Sequence, residues 1–277
     1  MLPIKVALLS RTNAVGFQDL THVADALSIQ ATRDLSPIWG ISATVTAFNS
    51  PRHVPPGYWP IFVVAQLPPG EGGFHWTKHK QPYAEVEAGD SWSLSASHEL
   101  VEMLVDPSGN RLVAGPELTV QGGQIVENPA KRVSYLVEAC DPCEAPDYAY
   151  LIEDVIVSDF FTPHFHEPVA ATGTRYSFTG ALTKPREIRP GGYISWNDPE
   201  TGAMMQIQYF GQPRVVNLSQ QQNMAAAESL REFVNRAEHD TTRSRSNVPS
   251  THKVAMLREA RRTAIHKAAE AWEAQAR

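Results

Sequence analysis

The stretch from Ser91 to Pro107, Ser-Trp-Ser-Leu-Ser-Ala-Ser-His-Glu-Leu-Val-Glu-Met-Leu-Val-Asp-Pro, constrains the chain more than any other. It reads as a helix, and the turn-forming run Asp106-Pro107-Ser108-Gly109-Asn110 stops it. Residues four apart on a helix lie one above the other, so His98 and Glu102 offer an imidazole and a carboxylate to a single ion from one face. Glu99 sits beside that face, where it can act as general base toward a water bound to the ion.

The segments before this helix alternate in type. Ile4 to Leu9 is a compact apolar run and predicts a buried first strand. Phe17, Leu20, Ala24, Leu27 and Ala31 recur at helical spacing, with Asp19, Asp25, Gln30 and Arg33 expected outward and Ser36-Pro37 expected to end the helix. Strands are predicted at Ala43–Phe48 and Ile61–Gln66, on either side of a Pro-rich turn. Gly72 to Trp76 and Pro82 to Val86 read as a hairpin or edge strand able to take an extended substrate by strand addition.

A metal site needs further protein ligands and an open position. Arg132 to Ala139 predicts a strand delivering Glu138 and Asp141 at its end, and either of these, or His164, is a candidate third ligand. Positions three apart on a strand face opposite ways, so Glu138 and Asp141 can share one ion only if the strand ends between them. Cys140 and Cys143 with His164 and His166 offer a rival Cys2His2 arrangement, but the His-x-His spacing is too short for it, and ordinary small thiols are expected. His75 and His79 are expected to be surface histidines, with substrate contact as the alternative.

Composition limits the wider choices. A chain of 277 residues with net charge −6 gives no global reason to expect a nucleic-acid partner, and no stretch approaches the roughly 20 apolar residues that span a bilayer. The opening Met-Leu-Pro-Ile-Lys-Val-Ala-Leu-Leu-Ser is too short an apolar run for a signal peptide, so a cytoplasmic protein is expected. Charge is uneven: residues 217–277 hold 10 Lys+Arg and 7 Asp+Glu, the preceding 216 residues 14 and 23. That shift marks a compositionally separate helical tail, with a flexible linker expected near 239–250. In its last helix, His252 to Ala276, an apolar stripe is expected to dock on the body or to serve self-association or partner binding.

Strand, helix, strand, strand, edge strand and then the His98 helix resembles the order in zincin metallopeptidases, over roughly Ile4 to Phe161. The blocks His98-Glu99-Leu100-Val101-Glu102 and Glu138-Ala139-Cys140-Asp141-Pro142-Cys143 are also similar, in the same order, to those of the EXORDIUM or phosphate-induced proteins of plants and of uncharacterised bacterial proteins with a His-Glu-x-x-Glu helix. The resemblance implies an α+β, zincin-like mixed sheet with an active-site helix at 1–165; paired runs around Pro190-Gly191-Gly192 and Asn197 to Gly202 predict a β-hairpin-rich extension at 166–216, and composition the helical tail at 217–277. The resemblance also implies a hydrolase of peptide or amide bonds, with Glu99 as base and metal held by His98, Glu102 and Asp141 or Glu138. Zinc is the default for that shell, and its two carboxylates also suit manganese or iron. The alternatives are a metal-stabilised binding or scaffold protein and a non-hydrolytic metalloenzyme.

Overall fold

A computed structural model describes residues 3–68, 72–220 and 227–241. The protein is mixed α and β, with 27% helix and 34% strand spread over several sheets. Among the described residues no helix is long and apolar enough to cross a membrane.

The chain opens with β1 (Ile4–Ser10), whose residues Val6 to Leu9 are all buried, as in a strand covered on both faces. Helix α1 (Phe17–Ile29) follows and continues through a π-helical stretch, Gln30–Leu35, into the short α2 (Ser36–Trp39). Three expectations are corrected here. Pro37 sits in α2, which directly follows the π-helical stretch, and the helical run continues through it, with Gly40 at φ +69° ending it instead. Gln30 points inward and is fully buried, donating to Ser158 O at 3.0 Å and Tyr150 Oη at 3.2 Å and accepting from Ser97 Oγ at 2.8 Å. Phe17, expected on the apolar face, is exposed.

Strands β2 (Ala43–Phe48) and β3 (Trp59–Val64) flank β1 in parallel. Strand β4 (Gly73–Lys78) and β5 (Gln81–Glu87) form the expected hairpin. Because β5 also pairs with β3 in parallel, the sheet order is β2-β1-β3-β5-β4, and only β4 of the hairpin is an edge. Helix α3 (Trp92–Val105) packs on β3, β4 and β5 and touches α1. Its residues Leu100, Val101, Met103, Leu104 and Val105 are at most 2% exposed. At about 1.5–3 kcal/mol each, that burial is large enough to carry Glu99 and Glu102 into the interior on the same helix.

A second sheet, antiparallel throughout, starts with the long hairpin β6 (Leu112–Gln121) and β7 (Gln124–Leu136), turned by Gly122 and Gly123 at positive φ. A small hairpin, β8 (Tyr150–Ile152) and β9 (Val155–Val157), replaces the single strand or helix expected over Ile152 to Phe161. Strands β10 (Tyr193–Asn197), β11 (Met204–Gln208) and β12 (Arg214–Asn217) complete the second sheet, in the order β12-β11-β10-β7-β6. The pairing of β10 with β7 joins residues 193–197 to the earlier part of the chain through main-chain hydrogen bonds.

The last described element is α4 (Leu230–Thr241). The expected linker is corrected where it begins, since α4 runs through 239–241. Nor is the start of the tail detached: Phe233, Val234 and Ala237 are buried in a cluster with Leu136, Met204 and Leu218. The remainder of the expected linker and the stripe of His252 to Ala276 lie outside the described residues.

Candidate metal centre

Three elements bring the ionisable groups together. Helix α3 supplies His98, Glu99 and Glu102 one turn apart. Strand β7 ends at Leu136, so Glu138 and Asp141 lie beyond it, and the bar on two residues of one strand turning to the same side does not apply. Asp141 opens a 3-10 turn, Asp141–Cys143, held by Cys143 N–H donating to Cys140 O at 3.0 Å and Arg189 N–H donating to Pro142 O at 2.9 Å. Gly192 lies so close to this turn that a Cβ there would meet Pro142 O at 2.6 Å and Asp141 O at 2.7 Å. Only glycine permits that approach.

His98 Nε2 lies 3.3 Å from Glu102 Oε2 and 3.2 Å from Asp141 Oδ1. Neither oxygen has an aligned hydrogen-bond donor among the described residues, although both are buried. Ligand atoms about 2.0–2.1 Å from a tetrahedral ion stand about 3.3 Å apart, which matches the distance from His98 Nε2 to each of these two oxygens. The other oxygen of Glu102 is anchored, accepting from Cys140 N–H at 3.0 Å.

His75, on β4, is corrected from surface to interior. It is 2% exposed, with Nδ1 3.1 Å from Glu99 Oε2 and 3.6 Å from Glu102 Oε2, and with Nε2 3.7 Å from Glu138 Oε2. Sequence reasoning also passed over Arg231 of α4. Its guanidinium, buried in the acidic cluster, reaches Asp141 Oδ2 at 3.1 Å and Tyr193 Oη at 3.3 Å, with Nε 3.6 Å from Glu138 Oε2. Arg231 N–H donates to Gly109 O at 3.0 Å, so the turn that ends α3 also fixes the start of α4.

The field of these charges is strong. Burial opposes a charged His98, but Glu102 and Asp141 outweigh it and hold the imidazole pKa well above its usual value. Burial likewise opposes a charged Glu102, yet His98 and Arg231 hold its carboxyl well below the ordinary range. Asp141 is pushed up to about 6 and Glu138 well up, in both cases first by burial and also by neighbouring carboxylates, with Arg231 opposing. A field that holds a proton on His98 also favours a cation in its place.

Of the remaining candidates, Cys140 lies within 4.8 Å of ligand atoms of His98 and Glu102, and the others lie elsewhere. His164 is exposed and pairs with Glu167 at 2.6 Å, and it joins no metal-capable group among the described residues. Cys140 and Cys143 are free, fully buried thiols with pKa values raised by burial. They form no group with His164 and His166 among the described residues. His79 is exposed, as expected.

A cavity of about 120 Å³, room for a handful of waters, opens beside the cluster and is lined by Gly73, His98, Glu99, Tyr193, Arg231 and Asn235, among others. A larger one of about 680 Å³, between the β6–β7 hairpin and residues 184–190, touches none of the clustered groups. Chemistry rather than size therefore picks the site. Comparison with protein-family models, with curated proteins and with solved structures finds no match.

Proposed function

We propose that the protein is a metal-dependent hydrolase of zincin-like architecture, acting on a peptide or amide bond, with the ion held by His98, Glu102 and Asp141 and Glu99 as general base. The observation that carries this reading is the convergence of His98 Nε2 with the orphaned Glu102 Oε2 and Asp141 Oδ1 at 3.2–3.3 Å, beside a cavity that Glu99 also lines. A divalent ion held there, zinc by default with manganese or iron as alternatives, would acidify water and polarise a carbonyl oxygen.

The chain's own groups have separate roles in this reading. Glu99 accepts a proton at the cavity, and His75 Nδ1 fixes its orientation through Oε2 at 3.1 Å. Gly73 leaves the other oxygen room, since a Cβ there would sit 2.9 Å from Glu99 Oε1. Arg231 offsets part of the negative charge, which allows four carboxylates to be buried together. The cavity itself leaves space for a ligand that is not protein, which favours a catalytic over a closed structural site.

In this reading strand β4 would bind an extended substrate. Gly72 O accepts from Glu87 N–H, so the alternation of an antiparallel ladder turns the main-chain groups of Gly73, His75 and Thr77 away from β5, toward the sheet edge. A peptide added there would run past Glu99. The test is Glu99→Gln in metal-loaded protein assayed on an unstructured peptide mixture. Bound metal should be unchanged and turnover should fall by about 10²-fold or more; undiminished turnover would overturn the role of Glu99, and no hydrolysis by loaded wild type would overturn the activity.

A further inference from the structure

The interior side of the cluster, away from the His98 triad, has its own set of unsatisfied atoms. His75 Nε2 and both oxygens of Glu138 have no hydrogen-bond partner among the described residues, and both side chains are at least 97% buried. His75 Nε2 and Glu138 Oε2 stand 3.7 Å apart.

That separation discriminates among what could lie between them. A direct N–H···O bond needs about 2.7–3.2 Å. A single bridging water, at about 2.8 Å from each atom and with its own near-tetrahedral angle, needs about 4.4 Å. An ion at about 2.1 Å from both meets 3.7 Å at an angle of roughly 120°, within the ordinary range of coordination. Glu102 Oε2 lies between the two imidazoles, 3.3 Å from His98 Nε2 and 3.6 Å from His75 Nδ1. The nitrogen of His75 that it faces is Nδ1, so its reach toward an ion on Nε2 runs through Glu138. Glu102, Glu138 and Asp141 also place one oxygen each within 4.8 Å of one another.

We propose that the centre binds two divalent cations, the second held by His75 Nε2 and Glu138, with Glu102 shared between the two. Carboxylate-bridged pairs stand about 3.5–4 Å apart, and an imidazole-carboxylate shell suits Zn2+ or Mn2+. Arg231 Nε, 3.6 Å from Glu138 Oε2 and without an aligned partner among the described residues, limits the second ion to the His75 side of that carboxylate. The inference rests on the reading above for the first ion, and it adds a cation position which that reading does not require.

The test is stoichiometry. Full-length protein stripped with chelator is dialysed against MnCl2 or ZnCl2, and bound metal per chain is measured. Wild type should hold two equivalents, and His75→Ala and Glu138→Gln one each. Loaded with Mn2+, the wild type should give the electron paramagnetic resonance spectrum of an exchange-coupled pair, and the variants that of an isolated ion. One equivalent in the wild type, or two retained in both variants, overturns the second site and leaves the first intact. No bound metal at all overturns the hydrolase reading as well. If a variant fails to fold, wild-type stoichiometry and the coupled spectrum decide the matter alone.

Discussion

Gly73 lacks a side chain at the point where Glu99 needs the room. A methyl group there would stand 2.9 Å from Glu99 Oε1 and 3.0 Å from Val86 Cγ1, so either the carboxylate or the β5 side chain must move. Gly73→Ala should fold with a loss of about 1–3 kcal/mol and keep its metal. Displacement of the base by a few tenths of an ångström to 1 Å should lower kcat by about 10²-fold. Steady-state kinetics alongside metal analysis checks this, and an unchanged kcat would count against Glu99 as the base. His166 gives a different residue-scale consequence. Its ring is packed edge-on against Phe161 and Phe165, and both nitrogens lack partners among the described residues. Burial, with Arg186 and Arg111 adding to it, pushes its pKa down to about 4. The unfolded chain takes up that proton from about pH 6.5 downward while the folded protein does not, so stability is lost as pH falls from about 6.5 to 4, by about 3 kcal/mol from this group. Denaturant unfolding at pH 7.5, 5.5 and 4.5 should show His166→Phe losing less stability than wild type by that amount, and parallel losses would contradict it. The alignment of His98 with Glu102, and Glu99 beside them, was legible at this scale because helical spacing alone produces it. The place of His75 was not: alternation along β4 separates it from Phe74 and Trp76, but does not say which face meets α3.

Among elements, α4 departs most from what composition implies. The shift in charge after residue 216 reads as a separate tail, yet α4 closes one side of the charged cluster. A signal was present in the spacing. Arg231, Val234 and Asn235 recur at helical intervals on the side that is buried, so Arg231 lies on the inward stripe rather than opposite it. Arg231→Met keeps much of the volume and removes the cation that faces Glu102, Glu138 and Asp141. Stranding buried carboxylates in this way should cost about 3–5 kcal/mol. Thermal unfolding should show the loss in stripped protein and a smaller one with saturating divalent metal, which replaces part of the missing charge. A loss under about 1 kcal/mol in stripped protein would mean that Arg231 does not hold the cluster together. The turn after β7 was half legible. Its acids were visible in the sequence, whereas the end of the strand at Leu136, which lets Glu138 and Asp141 both face the cluster, and the close approach of Gly192 to the turn at Asp141 and Pro142 were not. In the same way Gln30 reads as a polar residue on an outer face, and only the packing of α1 against α3 and β9 gives its amide three partners, Ser97, Ser158 and Tyr150.

Across the whole molecule, the site is assembled from residues 75, 98–102, 138–141, 193 and 231, which belong to both large sheets and to α3 and α4. No local segment contains it. The order of strands and helices through α3 follows from hydrophobic periodicity, since each of those elements is a short, strongly patterned run. The pairing of β7 with β10 is a contact between residues about 60 apart, and periodicity within either strand carries no information about the partner. At this scale the central claim is that burial of four carboxylates, two imidazoles and one guanidinium in one cluster exists to hold a metal ion. The direct measurement is metal content by inductively coupled plasma mass spectrometry on full-length protein purified without chelator. At least one equivalent of zinc, manganese or iron per chain is expected, with the equivalent at His98 lost in Glu102→Ala and in Asp141→Ala and retained in His164→Ala. A wild-type protein free of transition metal that also takes up none on dialysis, or a Glu102→Ala variant that binds metal as the wild type does, would contradict the account.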